Sequence, residues 1–275
     1  MKVTLVQTNS RDDKAVNLKQ TEALVRSAIE DGRPDLVALP ELFTYLGGTA
    51  EGARASAEHL PGGPAHQMLQ RIAREYRVHI HGGSLNEADG TDLFNTTVAF
   101  DPDGRQVARY RKIHMFDVVT PDGKVYRESA TYSAGAEIVT YDIGDVRIGC
   151  AICYDVRFAE LFVALTRAGA DIIVLPAAFT MMTGKDHWEV LLRARAIETQ
   201  AYVLAPGQAG SYVEDGIERM NYGNSLVADP WGTVIAKAQD GVGWVHAKLD
   251  FDYQRRIRAD LPSNSNRVLG LGDPR

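Results

Sequence analysis

The pattern of hydrophobic and polar positions predicts strands and helices that alternate along the chain. Residues 2–8 alternate like a half-buried strand, and residues 14–30 place apolar side chains on one helical face after a capping Asp12 or Asp13. The same reasoning predicts further strands at residues 34–39, 78–85, 93–100, 106–110, 137–142, 145–152, 171–175, 201–205, 222–228, 233–237 and 242–248. Further helices are predicted at residues 61–76, 158–168, 187–200 and from about residue 251.

This order of elements predicts an α/β fold in which two mixed sheets pack face to face with helices outside. No linker, repeat or low-complexity segment divides the sequence, so we expect a single domain over residues 1–275, with an extended tail from about residue 262. Residues 111–132 lack a sustained period and are predicted to form a long loop of the kind that often carries function. The segment 187–200 is apolar on more than one side, which indicates burial on both sides or a subunit contact.

Composition and charge narrow the range of partners. The net charge is −6, and no block of like charges resembles a nucleic-acid or lipid-binding surface. No stretch reaches transmembrane length, and the N-terminus lacks the features of a signal peptide. Two cysteines in 275 residues are typical of a reducing compartment. We therefore predict a cytoplasmic protein with a small-molecule partner, and neither nucleic acid nor a membrane.

The two cysteines, Cys150 and Cys153, form a C-x-x-C sequence that could indicate a redox pair or half of a metal site. In an extended strand their Cα atoms would lie roughly 10 Å apart, beyond the roughly 7 Å limit for a disulfide. No second C-x-x-C exists to complete a zinc ribbon, and the histidines show no metal-ligand spacing. The sequence therefore predicts one core thiol, one reactive thiol and no metal.

Three ionisable residues follow the ends of apolar strands: Glu41, Lys112 and Cys153. The ends of strands are where sites collect in α/β folds. Cys153 is the candidate nucleophile, since backbone N–H groups where a strand meets a helix favour a thiolate. Glu41 can act as general base once burial raises its pKa. Lys112 and the backbone N–H of Tyr154 can stabilise an oxyanion.

Each of these residues also has a structural interpretation. Free cysteine is often a core residue, so Cys153 alone would more often be a buried structural thiol. Glu41 could cap a helix, and Lys112 could be a solvated surface lysine. His114 lies near Lys112 and permits a cysteine–histidine pair, but the sequence shows no acid or amide to orient it.

The segments around these residues resemble the three signature boxes of the nitrilase superfamily, the carbon–nitrogen hydrolases. Glu41 lies in Leu-Pro-Glu-Leu-Phe, Lys112 in Tyr-Arg-Lys-Ile-His-Met-Phe-Asp and Cys153 in Ile-Cys-Tyr-Asp-Val-Arg-Phe-Ala-Glu-Leu. The boxes occur in the family's order and spacing, within a likeness from about residue 2 to about residue 262. The resemblance implies a Glu-Lys-Cys triad at these positions and a second glutamate, Glu128, that orients the lysine.

The resemblance further implies an αββα sandwich and a homodimer formed through the helix after the cysteine and the helix that bears Trp188. The segments 187–198 and 229–234 are most similar to the Nit branch, whose activities are amidases acting on α-ketoglutaramate-type substrates and on deaminated glutathione. True nitrilases usually have Cys-Trp-Glu at the nucleophile, whereas this chain has Cys-Tyr-Asp, which disfavours nitriles. The implied reaction passes through a thioester and needs no cofactor.

Arg157 is the candidate for recognising a substrate carboxylate. Family members that take carboxylate-bearing substrates use an arginine at this place, and its planar fork suits a carboxylate. The alternative is a structural ion pair with Asp155 or Glu160. We therefore expect an ω-amidase-like hydrolase of small carboxylate-bearing amides.

Further pocket positions and other functions stay open at this point. Phe179, Thr183 and Tyr45 resemble pocket-wall positions of the family, although aromatic residues near strand ends more often serve packing. The alternatives to amide hydrolysis are hydrolysis of nitriles or N-carbamoyl compounds by the same triad, and a non-catalytic scaffold.

Overall fold

The computed structural model describes residues 1–268. The α-helices are α1 (Lys14–Gly32), α2 (Ala50–Ser56), α3 (Pro64–Tyr76), α4 (Ala159–Arg167), α5 (Met181–Thr199) and α6 (Phe251–Asp260). The strands are β1 (Lys2–Gln7), β2 (Leu36–Ala38), β3 (His79–His81), β4 (Leu85–Asp89), β5 (Asp92–Phe100), β6 (Gln106–Arg111), β7 (Asp117–Val119), β8 (Val125–Arg127), β9 (Thr140–Ile143), β10 (Val146–Cys150), β11 (Ile172–Val174), β12 (Tyr202–Ala205), β13 (Ala209–Glu214), β14 (Ile217–Tyr222), β15 (Leu226–Ala228), β16 (Val234–Lys237) and β17 (Gly243–Lys248).

The strands form two large mixed sheets. The first has the order β17-β1-β2-β3-β5-β4, with β6 paired to β5, and the second has the order β16-β15-β12-β11-β10-β9. The centre of each sheet is parallel, through β1-β2-β3 and β10-β11-β12, and the outer pairs are antiparallel. Two separate hairpins, β7-β8 and β13-β14, lie outside the sheets. The carboxyl ends of the parallel strands therefore lie together at one edge of each sheet.

The sheets pack face to face around a shared core, as the sequence predicts. Successive side chains of a strand point to opposite faces. Accordingly Leu5 belongs to the core shared with the second sheet, while the next residue, Val6, packs with α1 and α3. On the other side, Trp188 and Leu192 of α5 join the core of the second sheet. The predicted αββα arrangement is confirmed.

One buried carboxylate fixes the segment that carries the candidate nucleophile. After β10 the chain enters a 3₁₀ turn, Cys153–Arg157, and Asp155 within it is fully buried. Its carboxylate accepts hydrogen bonds from Tyr110 Oη at 2.7 Å, Ile152 N at 2.8 Å and His114 Nδ1 at 2.7 Å. Since Tyr110 and His114 flank Lys112 in the chain, Asp155 holds the thiol and the lysine in fixed relative positions.

The predicted α1 and its cap are confirmed, because Asp13 caps the helix by accepting from Val16 N at 3.0 Å. The prediction for residues 187–200 is wrong at its start, because α5 begins at Met181. Residues 181–186 mix apolar and polar side chains without a clear helical period, and the N-cap Thr180 is the signal that marks the true start.

Irregular segments account for the other differences. The predicted loop at 111–132 contains the hairpin β7-β8 and a 3₁₀ turn at Glu128–Ala130, and neither α2 nor the complete hairpin β13-β14 is predicted. Residues 263–266 form a turn where we expected extended chain, and residues 269–275 of that tail lie outside the described residues. Within residues 1–268, no helix combines the length and the apolar character needed to cross a membrane.

We predict that Asp155→Asn lowers the free energy of unfolding by about 2 kcal/mol, since an amide cannot accept all of these buried hydrogen bonds. Urea unfolding measures the change. Asp145→Asn, at an exposed turn position, is the matched control and should stay close to the wild type. Equal stability of the two variants would contradict the role given to Asp155.

Candidate active site

A buried lysine joins two carboxylates at the centre of the site. Lys112 Nζ lies 2.9 Å from Glu41 Oε1, 2.9 Å from Glu128 Oε1 and 2.8 Å from Glu128 Oε2. The lysine side chain is only 2% exposed. Burial alone would lower the pKa of Lys112, but the charges of Glu128 and Glu41 raise it well above its ordinary value. Lys112 is therefore a fixed positive charge.

Glu41 follows β2 and is held on both of its oxygens. Oε1 also accepts a hydrogen bond from Asn95 Nδ2 at 2.8 Å, and Oε2 accepts one from Ala178 N at 2.8 Å. Glu41 is 3% exposed. Its carboxylate is thus oriented by groups from β5, from Lys112 after β6 and from the chain after β11.

Glu128 is the first residue of its 3₁₀ turn and completes the cluster. Phe116 N donates a hydrogen bond to its Oε2 at 2.7 Å. The pKa of Glu128 is raised because burial disfavours the charged form, and the nearby Glu41 adds to the rise while Lys112 opposes it. Glu128 is therefore easier to protonate than an ordinary glutamate.

Cys153 begins the 3₁₀ turn in a strained backbone conformation. Its φ is +45°, in the left-handed region, which costs a residue with a side chain on the order of 1–3 kcal/mol. Its N–H donates to Pro176 O at 2.8 Å, which helps to hold this geometry. In this conformation Cys153 lines a cavity.

The surroundings of Cys153 favour the protonated thiol, which agrees with the expectation that Glu41 must act as its base and outweighs the expected help from backbone N–H groups. Burial raises its pKa well above the ordinary value, and the nearby negative charge of Glu41 raises it further. The charge of Lys112 and a backbone hydrogen bond from Ala178 act in the opposite direction but are weaker. The thiol therefore needs a base to remove its proton, and Glu41 lines the same cavity.

The two cysteines differ as the sequence predicts. Both are free thiols, and Cys150 is fully buried in the core between the sheets. Burial raises the pKa of Cys150 to about 12. Cys153 instead lines a cavity together with Glu41 and Lys112.

This cavity, of about 440 Å³, brings most of the predicted residues together. Its size falls in the range of small-molecule sites. The predicted residues that line it are Glu41, Tyr45, Lys112, Glu128, Cys153, Tyr154, Phe179 and Thr183. The Tyr154 N–H lies in the first turn of a helix, where donors have no partner within the helix. In the part of the chain that the structure describes, no backbone acceptor takes it.

Arg157 does not line the cavity but lies against its wall. Its guanidinium carbon is 5.3 Å from the ring centre of Phe179 and 5.9 Å from that of Tyr154. The alternative of an ion pair with Asp155 or Glu160 is wrong, because no acid among the described residues pairs with Arg157. Asp155 is instead committed to the contacts described above.

His114 has the acid partner that the sequence did not reveal. Its Nδ1 lies 2.7 Å from Asp155 Oδ1, and its ring stacks on Phe158 with the ring centres 3.7 Å apart. Both partners lie in the cysteine box, but proximity in space was not apparent from the sequence. His114 is not among the cavity-lining residues, so the pair serves the anchoring role of Asp155.

Sequence reasoning missed the hairpin wall of the cavity and Asn95. Arg219 of β14 is 5% exposed, and its Nε lies 2.5 Å from Glu214 Oε2. Its guanidinium carbon lies 3.9 Å from the ring centre of Tyr126. The segment 209–222 has no clear apolar alternation, and its one signal was the Asp215-Gly216 pair, which forms the two-residue turn between the strands. Asn95 did give a signal, because it begins a polar stretch, 95–97, in the middle of the strand predicted at residues 93–100.

Among residues 1–268, no group of three or more His, Cys, Asp or Glu side chains is arranged to hold a metal ion. The chemistry that the arrangement supports is nucleophilic attack by a thiol. A carboxylate lines the same cavity as the thiol, and a lysine ammonium lies beside that carboxylate. These are the groups that a nucleophile needs for acyl transfer.

Comparison with known proteins assigns the family. The carbon–nitrogen hydrolase family model matches residues 2–259. The chain is 39% identical over 269 residues to the deaminated glutathione amidase of Synechocystis sp., covering 96% of this chain and 97% of that relative. It is 36% identical over 261 residues to omega-amidase NIT2 of Homo sapiens, covering 95% and 92% respectively.

A solved structure agrees with this assignment over the whole fold. Saccharomyces cerevisiae Nit3, a member of branch 10 of the nitrilase superfamily, matches with a TM-score of 0.87 and 32% identity, covering 98% of this chain and 97% of Nit3. The chain therefore belongs to the carbon–nitrogen hydrolase family, and it is a hydrolase of the amidase type.

Proposed function

We propose that the enzyme hydrolyses small carboxylate-bearing amides through a thioester on Cys153. The observation that carries this proposal is the position of Lys112 Nζ, which bridges Glu41 and Glu128 at 2.8–2.9 Å in the cavity that Cys153 also lines. Glu41 is the general base, Cys153 the nucleophile and Lys112 the charge that stabilises the oxyanion.

In the first half of the reaction the enzyme is acylated. Glu41 takes the proton of the thiol as Sγ of Cys153 bonds to the amide carbon. The oxyanion is held by Lys112 and the N–H of Tyr154. Protonated Glu41 then passes its proton to the amide nitrogen, the C–N bond breaks and ammonia leaves.

Lys112 gains a free donor only during this step. In the resting enzyme its three contacts are all to the carboxylates of Glu41 and Glu128, and an ammonium has three donors. When Glu41 accepts the thiol proton, its bond to Nζ weakens because it is no longer charged. One N–H can then turn to the oxyanion as the negative charge develops there.

In the second half of the reaction water hydrolyses the thioester. Glu41, ionised again, takes a proton from water as its oxygen attacks the acyl carbon. The C–S bond breaks, the acid product forms and the sulfur recovers its proton. Glu128 stays bonded to Lys112 and near the departing group throughout.

The preference for a carboxylate rests on Arg157 and on the relatives. The Arg157 guanidinium lies outside the cavity lining, over two rings of the wall, and has no acid partner within residues 1–268, so it can pair with a substrate carboxylate that extends past this wall. The similarity to a deaminated glutathione amidase and to an omega-amidase supports an amide substrate of this class.

A panel of substrates tests the proposal, with ammonia release measured for α-ketoglutaramate, deaminated glutathione, neutral amides, nitriles and N-carbamoyl compounds. Turnover of nitriles alone, or carbon dioxide released with ammonia from N-carbamoyl compounds alone, would contradict it.

We also propose a cytoplasmic homodimer formed through α4 and α5. Two large apolar side chains of α5, Val190 and Ile197, are 65% and 50% exposed, and apolar helix faces of this kind are typical of subunit contacts. The two free cysteines are consistent with a reducing compartment.

We predict that Cys153→Ala lowers amide turnover by at least about 10³-fold, because the nucleophile is lost. Cys150→Ala is the matched control, since it removes the other thiol from the core without touching the cavity. Steady-state ammonia release measures both. Comparable turnover by Cys153→Ala and the wild type would show that the thiol is not the nucleophile.

Glu41→Gln should affect turnover and thiol reactivity in opposite directions. Burial raises the pKa of Cys153, and the charge of Glu41 raises it further, so removing that charge increases the thiolate fraction at a given pH. Alkylation of Cys153 by iodoacetamide should reach its half-maximal rate at a lower pH than in the wild type. Amide turnover should fall about 10²- to 10⁴-fold because the base is lost.

Peptide mass spectrometry across a pH series follows the alkylation of Cys153 separately from that of Cys150. An unchanged pH profile of alkylation in Glu41→Gln would contradict the electrostatic contact between the carboxylate and the thiol.

Arg157→Gln should lower kcat/KM about 10- to 100-fold for α-ketoglutaramate, since a charge-assisted hydrogen bond is lost, and much less for a neutral amide of similar length. Arg167→Gln, an exposed position on α4, is the matched control. Equal losses of Arg157→Gln on the charged and neutral amides would refute recognition of the carboxylate.

A further inference from the structure

Asn95 contacts the catalytic cluster through its side chain and its backbone. Its Nδ2 lies 2.8 Å from Glu41 Oε1 and 3.2 Å from Glu128 Oε1. Its carbonyl oxygen accepts a hydrogen bond from Lys112 N at 2.9 Å. Asn95 lies within β5 and is fully buried. One residue thus touches two carboxylates and the backbone of the lysine.

Asn95 and Lys112 bind the same two oxygens from different sides. Nζ of Lys112 and Nδ2 of Asn95 each contact Oε1 of Glu41 and Oε1 of Glu128. The four atoms form a ring in which donors and acceptors alternate. A carboxylate oxygen has two lone pairs, so these two donors occupy both lone pairs of Glu41 Oε1.

This leaves Oε2 of Glu41 as the oxygen that can take a proton. Oε2 accepts one hydrogen bond, from Ala178 N, and therefore keeps a second lone pair. The thiol of Cys153 lines the same cavity as this carboxylate. As long as Oε1 stays occupied by Lys112 and Asn95, Oε2 is the oxygen that can receive the proton of Sγ.

The orientation of the Asn95 amide has a cost that a packing role does not explain. Its Oδ1 is buried and has no hydrogen-bond partner within residues 1–268, and an unsatisfied buried acceptor is unfavourable. The opposite orientation would place Oδ1 against two carboxylates. The amide is thus held with its donors toward Glu41 and Glu128 at the expense of its own oxygen.

We infer that Asn95 is a positioning residue, which donates to Oε1 of the Glu41 carboxylate and thereby directs the proton of Cys153 to Oε2. The inference deepens the proposed function and rests on it. No bond of the reaction changes, since Asn95 neither gives nor takes a proton. The charged and titratable groups around the Glu41 carboxylate are Lys112, Glu128, Cys153, Tyr132 and Tyr212.

Asn95→Ala and Asn95→Asp test the inference together. Asn95→Ala removes the donor, so the acid limb of the kcat/KM profile should move to higher pH by about one unit, and kcat at the optimum should fall about 10- to 100-fold. Asn95→Asp keeps the shape but, when ionised, places a third carboxylate against two others. It should therefore be at least as impaired as Asn95→Ala, whereas a packing role predicts activity near that of the wild type.

Asn86→Ala is the matched control. Asn86 lies directly opposite Asn95 on β4, is 1% exposed and bonds Ser56 Oγ and Tyr132 Oη rather than the carboxylates. Asn86→Ala should lower the melting temperature, because a buried amide loses its hydrogen bonds. It should leave the acid limb of the kcat/KM profile at the same pH as in the wild type. Circular dichroism establishes which variants are folded. If Asn95→Ala does not fold, the activity of Asn95→Asp decides whether Asn95 has the inferred role.

Each outcome separates this inference from the proposed function. Suppose that Cys153→Ala and Glu41→Gln lose activity, as the proposed function requires. The role of Asn95 alone would then be overturned if Asn95→Asp were as active as the wild type. It would also be overturned if the acid limb of the kcat/KM profile were the same in Asn95→Ala and Asn86→Ala. If Cys153→Ala and Glu41→Gln retain amide turnover, the proposed function itself fails.

Discussion

The site depends on one buried ammonium shared between two carboxylates. Lys112 Nζ is almost inaccessible to water, and without Glu41 and Glu128 its burial would favour the neutral amine. Without Lys112, the two acids would repel each other in the same enclosed space. The cluster is therefore stable only when all three members are present, and its charge is fixed before any substrate binds.

The fold explains how residues distant in sequence reach this cluster. Glu41 follows β2 and Lys112 follows β6 in the first sheet, whereas Cys153 follows β10 in the second. Packing two sheets face to face brings these strand ends to one cavity. Asp155 then links the second sheet to the segment around Lys112, so the distance between thiol and lysine does not depend on the loops.

The electrostatics of the cluster also set the state of the nucleophile. Burial beside a carboxylate favours the protonated thiol, so in the proposed reaction proton transfer to Glu41 is part of the attack. The proposed reaction thereby couples three events, namely the loss of charge on Glu41, the release of a Lys112 donor and the growth of the oxyanion. A site with a preformed thiolate would not need that coupling.

The sequence predicts the layers of the fold and the members of the proposed triad, because periodic strands and short boxes around Glu41, Lys112 and Cys153 are local signals. The sequence does not predict which side chains from distant segments contact each other. The partner of His114 is in the cysteine box, but only the folded chain brings the two together. The hairpin that carries Arg219 has no clear apolar pattern, and the charge state of Cys153 depends on burial that a sequence does not give. Asn95 is intermediate between these cases. The sequence shows a polar residue inside a strand, but it does not show which side chains that residue contacts.

The most direct test of the proposed thioester is to stop the reaction within its first turnover and measure the intact mass of the enzyme. With a hydrolysable carboxylate-bearing amide, we predict a population heavier by the acyl group, located by peptide mapping on Cys153, and one ammonia released per adduct. Turnover of the same substrate with no acyl adduct on Cys153 at any time, or with an adduct on another residue, would contradict the proposed reaction.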